Sequence, residues 1–122
     1  MDSESSALAA NAAFYRAFTQ KDLTSMSALW LNDQCIACAH PGHPPLFGHE
    51  NVMASWRQIF DSPDVQEVAP TNVHCRVSGA VARVTCIEEL RPGDGRLVAT
   101  NVFEYVNGAW CIVLHHAGPV MV

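Results

Sequence analysis

Residues 96–116 read RLVATNVFEYVNGAWCIVLHH, and the way they alternate decides what the chain builds. Asn107-Gly108 sits between two runs of β-branched and aromatic residues. A two-residue type I′ turn needs positive φ at both central positions, which Asn-Gly supplies. The stretch therefore predicts a hairpin of strand 96–106 against strand 110–116. One face of the first strand carries Leu97, Ala99, Asn101, Phe103 and Tyr105. The other carries Val98, Thr100, Val102, Glu104 and Val106. On the second strand, Trp110, Ile112, Leu114 and His116 share one face, with Cys111, Val113 and His115 opposite. A sheet with one wet face should alternate apolar with polar. Here both faces are largely apolar and both need cover. Helices can cover only one, so a homodimer through the outer sheet face is expected.

Working back from the hairpin, Val81 to Leu90 predicts a strand, joined through Gly79 to another at Val65 to Ser78. That strand should be interrupted or bulged near Pro70. Arg91 to Gly95 (RPGDG) forms an exposed loop. Upstream the period becomes helical. Leu8, Ala12, Tyr15 and Phe18, joined by Phe14, predict a helix over 6–19, with residues 1–5 as a loose tail. Asp22 is placed to cap a short second helix bearing Leu23, Met26, Leu29 and Trp30. Gln34 to Ala39 predicts a first strand. A third helix over roughly 49–60 turns Val52, Trp56, Ile59 and Phe60 inward. The order α-α-β-α-β-β-β-β is an α+β arrangement in one domain, 1–122.

Between the first strand and the third helix lies CAHPGHPPLFGHENVMASW, residues 38–56, with three histidines, three prolines and two glycines. Proline fixes φ and glycine frees it, so this is an irregular crossing. Such crossings on a rigid scaffold are where binding groups sit.

The totals exclude some classes of function. A net charge of −5 is wrong for binding nucleic acid or an anionic membrane. No apolar run approaches the ~20 residues of a membrane span. MDSESSALAA lacks the basic and apolar regions of a secretory signal, so a cytoplasmic location is expected. The five cysteines, Cys35, Cys38, Cys75, Cys86 and Cys111, read as reduced core residues. Cys35 and Cys38 form a lone C-x-x-C. On a strand they point to opposite faces, and no second pair completes a zinc site. His115 and His116, adjacent on a strand, cannot enter one site. No metal and no cofactor are expected.

The order of elements, with FYRAFTQKDLTSMSALW, His40-Pro-Gly42, LFGHENVMASWRQIF and TNVFEYVNGAWCIVLHHAGPV, resembles the NTF2-like superfamily. It is most similar to the SnoaL-like and ketosteroid-isomerase-like small proteins. The resemblance spans nearly the whole chain. It implies a cystatin-like α+β roll, a cone in which three N-terminal helices pack on a curved, mostly antiparallel sheet. The cone would leave a pocket at its open end and would dimerise. Isomerases, dehydratases, hydrolases, cyclases and binding modules share this fold, so the resemblance alone selects none of them. The ketosteroid isomerases use a carboxylate base, a tyrosine and a protonated aspartate. The matching positions here hold Cys38 or His40, Phe14 and Asn101, which argues against steroid isomerisation.

The polar groups available to a pocket are His40, His43, Glu88, Asn101 and His116. A carboxylate or histidine on an apolar face needs a partner, and a histidine near a carboxylate makes an acid–base pair. One expectation is a cofactor-free isomerase, dehydratase or cyclase acting on a small carbonyl compound. His40 would be its base, Asn101 an oxyanion donor, and Glu88 or His116 the orienting or relay group. Phe14, Trp30, His43, Trp56 and Phe103 would line the apolar ligand site. The alternative is a non-catalytic ligand-binding or dimeric accessory module, whose pocket groups are all satisfied by the backbone.

Overall fold

The structure is a computed structural model and describes residues 3–64 and 66–120. Two helices open the chain, α1 (Ser3–Gln20) and α2 (Leu23–Leu29). Short strands β1 (Ala37–Ala39) and β2 (Leu46–Phe47) precede α3 (His49–Phe60). Four long strands follow: β3 (Glu67–Ser78), β4 (Val81–Arg91), β5 (Arg96–Val106) and β6 (Ala109–Pro119). All six strands form one curved sheet in the order β2-β1-β6-β5-β4-β3. Every pairing is antiparallel except β1 with β6. This is the expected α+β roll, an NTF2-like, cystatin-like fold.

The helices begin and end where local chemistry directs. Asp22 caps α2 by accepting from the Ser25 amide at 3.1 Å. Gly48 opens α3 at φ 85°, and a Cβ there would lie 2.7 Å from Gln34 Oε1. Only glycine fits that junction comfortably. Asn107 and Gly108 both take positive φ, as the hairpin turn requires.

Several expected boundaries move. α1 starts at Ser3, so residues 3–5 are helical; residues 1–2, and Val65 of the expected strand 65–78, lie outside the described residues. The Pro-rich crossing contains β2, which pairs with β1. The irregularity in β3 falls between Thr71 and His74, where Asn72 takes φ 50°. The core cysteines are Cys38 and Cys86, whereas Cys35 is exposed and Cys75 and Cys111 are half-buried.

A larger correction concerns β6. Val102 pairs with Leu114 but Phe103 pairs with Ile112, leaving Val113 as an extra residue. This β-bulge breaks the period of two and reverses the faces beyond it. Trp110 and Ile112 point inward as expected, but so do His115 and Ala117, while His116 is exposed. The strict alternation that put His116 on the inner face does not survive the bulge.

The inner sheet face, carrying Val68, Ala82, Val84, Ala99 and Phe103, packs under α1 and the other helices. Phe14, Phe18, Trp56 and Phe60 form an aromatic cluster, with ring centroids 4.8–6.5 Å apart. Edge-to-face packing at these distances adds about 0.5–1.5 kcal/mol per pair beyond burial.

Candidate functional site

Four polar side chains are buried on the inner side of the sheet and α1: Asn11, Glu88, Asn101 and His115. Groups of this kind persist in an apolar core only when hydrogen-bonded, and here they bond to one another. The Tyr15 hydroxyl donates to Glu88 Oε2 at 2.7 Å. Asn101 Nδ2 donates to Asn11 Oδ1 at 2.9 Å and to the Tyr15 oxygen at 3.1 Å. His115 Nδ1 lies 2.6 Å from Asn101 Oδ1. Its Nε2 lies 4.0 Å from Glu88 Oε2. Cys86 Sγ is 3.3 Å from the Tyr15 oxygen.

The positions follow from local geometry. Asn11 and Tyr15 are four apart on α1 and share its inner face. Glu88 and Asn101 sit at inward positions of β4 and β5. The bulge brings His115 opposite Asn101, its register partner.

Burial sets the electrostatics. It holds the Glu88 carboxyl above its ordinary pKa, partly opposed by the Tyr15 hydrogen bond. It pushes the His115 imidazole down to about 3, with His40 and His116 adding to the effect. The Glu88–His115 contact is thus between a carboxyl group and a neutral imidazole. Tyr15 is raised by burial and then by Glu88, so it stays a phenol.

His40 stands beside this network. Its ring packs edge-on against Trp56 at 4.8 Å and lies 6.5 Å from the His115 ring. Its Nε2 is 2.8 Å from Ser55 Oγ. Burial, then His43, lowers its pKa. Cys38 Sγ is 3.6 Å from His40 Nε2, and burial pushes that thiol up to about 12, keeping it un-ionised.

A cleft of about 260 Å³ opens onto Glu88, His115 and His40, with Phe18, Pro41, Ile59, Leu90 and Leu97 as walls. His43 and Gln66 stand exposed at its rim. The structure thus brings together Glu88, His40, His43 and, through hydrogen bonds, Asn101. It leaves His116 on the opposite face. Trp56 and Phe14 lie fully buried beneath the cleft, Phe14 with its ring 5.0 Å from His115. Trp30 and Phe103 are core residues that do not line it. Both amide hydrogens of Asn101 are engaged, so it offers no free donor to an oxyanion. Sequence reading passed over Asn11, Tyr15, Ser55 and His115. A polar Asn11 four residues before Tyr15 was the available signal for the first two.

Residues 7–122 match the profile of the SnoaL-like domain family. The chain belongs to that family. This SnoaL-like protein superimposes with a TM-score of 0.90 on a protein of the NTF2-like family from Streptomyces avermitilis, presented as a candidate dehydratase. The two are 33% identical, over 98% of this chain and 96% of the other. A candidate calcium/calmodulin-dependent protein kinase type II association domain from Thiobacillus denitrificans is 34% identical, with a TM-score of 0.87 over 93% and 94% of the two chains. The F-box protein SKIP8 of Arabidopsis thaliana is 29% identical over 94% of this chain. The SnoaL-like chain spans about half the length of that relative, 50%. Among the described residues, no helix is long and apolar enough to cross a membrane.

Proposed function

We propose that this SnoaL-like chain is a cofactor-independent acid–base enzyme of the isomerase or lyase type, acting on a small neutral carbonyl compound. One observation carries the reading: a raised carboxyl and two unprotonated imidazoles converge on one apolar-walled cleft. Groups tuned toward neutrality in this way suit proton transfer near physiological pH. Glu88 or a histidine would remove a proton from carbon next to a carbonyl. The conjugate acid would return it elsewhere on the carbon skeleton, giving an isomer. In an elimination it would go to a leaving hydroxyl, with C–H and C–O broken, C=C formed and water released. Similarity to the candidate dehydratase supports the elimination form.

The test is proton exchange. Small enolisable ketones and β-hydroxy ketones are incubated with the protein in D₂O and followed by NMR. The wild type should exchange or dehydrate at least one of them. Glu88→Gln and His115→Gln should each slow it by about 10²–10⁴-fold. Rates equal to buffer across the series would reject the reading.

A second reading is favoured by the likeness to the association domain and to part of an F-box protein: an accessory module that works through its surface. The outer sheet face supports a self-associating form of either reading. Val81 and Val98 are exposed there, and register places Ile87, Val98, Val102 and Leu114 on neighbouring strands. A second copy of the chain would cover this patch.

A further inference from the structure

Apart from the proton that Glu88 takes up when its carboxyl is neutral, each hydrogen-bond donor on the side chains at the floor of the cleft is committed within the protein. A phenol has one hydrogen, and that of Tyr15 goes to Glu88 Oε2. Tyr15 must therefore accept from Asn101, which fixes the Asn101 amide with its NH₂ toward Tyr15 and Asn11. Asn101 Oδ1 then faces His115 Nδ1 at 2.6 Å, so Nδ1 carries the proton. The neutral imidazole has only one, and Nε2 is left bare beside Glu88. The same logic holds at His40. The Ser55 hydroxyl donates to the Val52 carbonyl at 2.6 Å, so His40 Nε2 must donate to Ser55 Oγ. His40 Nδ1 is left bare, with the weak thiol of Cys38 at 3.9 Å. Two buried indole N–H groups, of Trp30 and Trp56, lack partners among the described residues, but neither lines the cleft.

We propose that the cleft is a binding site for a neutral ligand carrying hydroxyl donors. Enols, phenols and hydroxylated carbonyl compounds are the class, held by their O–H hydrogens on His115 Nε2, His40 Nδ1 and the Glu88 carboxyl. A plain ketone or ether brings no donor and would leave both bare imidazole nitrogens unpaired, so it should bind more weakly than its enol or hydroxylated counterpart. A carboxylate or phosphate meets no lysine or arginine among the lining residues and would lie against Glu88. The volume of about 260 Å³ lies just below the usual ~300–1,000 Å³ of ligand pockets, which suits a single ring. The proposal rests on the reading of this cleft as a small-molecule site and narrows what enters it.

The experiment uses the full chain labelled with ¹⁵N. Long-range ¹H–¹⁵N spectra report which imidazole nitrogens carry protons, with no ligand and no variant. His115 should be protonated at Nδ1 and His40 at Nε2. Phenol is then titrated against anisole, acetophenone and benzoate. Phenol should bind about tenfold more tightly than anisole, the effect of one good hydrogen bond. It should also move the His115 Nε2 resonance while leaving Nδ1 in place. The opposite tautomer at His115, equal binding of anisole or acetophenone, or no binding of phenol would each overturn the proposal. Phenol binding without proton exchange on any ketone would leave this ligand class standing and remove the enzymatic reading.

Discussion

At the scale of single residues, the central tension is between Glu88 and His115, two buried titratable groups that resist charge. Their effects on stability run in opposite directions. His115 titrates near 6.5 when unfolded and at about 3 when folded. Between those values the unfolded chain binds more protons, so acidification destabilises the fold, by up to about 1.4 kcal/mol per pH unit. Its contribution is complete above pH 6.5 and is lost as pH falls toward 3. Glu88 is raised above its ordinary 4.5. Its contribution is present below that value and is lost as pH rises through the folded pKa. Urea titrations across pH should therefore show Glu88→Gln gaining stability relative to wild type as pH rises above 4.5. His115→Gln should flatten the acid limb between 6.5 and 3. Parallel curves for wild type and both variants would contradict the assignment. Tyr15→Phe tests the link between the two groups. Losing the hydroxyl leaves Glu88 Oε2 and Asn101 Nδ2 each short of a partner, at a cost of about 1–3 kcal/mol. It should also raise the Glu88 pKa further, since the Tyr15 hydrogen bond now lowers it. Carbonyl-stretch infrared titration of ¹³C-labelled glutamate would detect that change.

At the scale of elements, the bulge in β6 determines which histidine reaches the interior. Deleting Val113 would restore strict alternation and keep His115 inward, because Ile112, Leu114 and His115 would then pair in turn with Phe103, Val102 and Asn101. The deletion should therefore keep the Asn101–His115 hydrogen bond and cost only what straightening the strand costs, on the order of 1 kcal/mol. Val113→Ala keeps the residue count and should cost about 1 kcal/mol, with the ¹⁵N pattern at His115 unchanged. Loss of the Nδ1-protonated signal of His115 in the deletion would show instead that the register opposite Asn101 depends on the bulge. The same element shows where sequence reading stops. Alternation in 96–106 and the Asn107-Gly108 turn were enough to place the hairpin, because period and turn chemistry are local. Nothing local in CIVLHH marks Val113 as the extra residue. A bulge is chosen by what two strands must fit around, here the Phe103 ring on one side and Asn101 on the other. For the same reason Glu88 and Asn101 could be singled out from their apolar faces. Tyr15 looked like one more aromatic on a helical stripe, since its partner lies 73 residues away. The two-residue β2 escaped because it exists only by pairing with β1 inside a proline-rich crossing.

At the scale of the whole molecule, the sheet divides the labour between its faces. The inner face, under α1 and α3, holds the core and the cleft. The outer face carries Val98 at 48% exposure and Val81 at 45%, with Ile87, Val102 and Leu114 half-buried around them. The register makes these one patch: Ile87 beside Val98, and Val102 beside Leu114. Arg83 and Glu104 lie among them rather than forming a continuous polar surface. A standard protein interface takes roughly 800 Å² from each partner, a little over a tenth of the 7068 Å² that the chain exposes. Sedimentation should then give twice the 13.3 kDa chain mass at micromolar concentration. Val98→Glu with Leu114→Glu should yield monomers, because paired copies would bury like charges without partners. Both positions point away from the cleft, so the ¹⁵N signature of His115 and phenol binding should persist in the monomer. A wild-type monomer would remove the dimer. A double variant that stays dimeric would move the interface elsewhere. A monomer that loses the His115 signature would show that the second copy supports the cleft through the sheet.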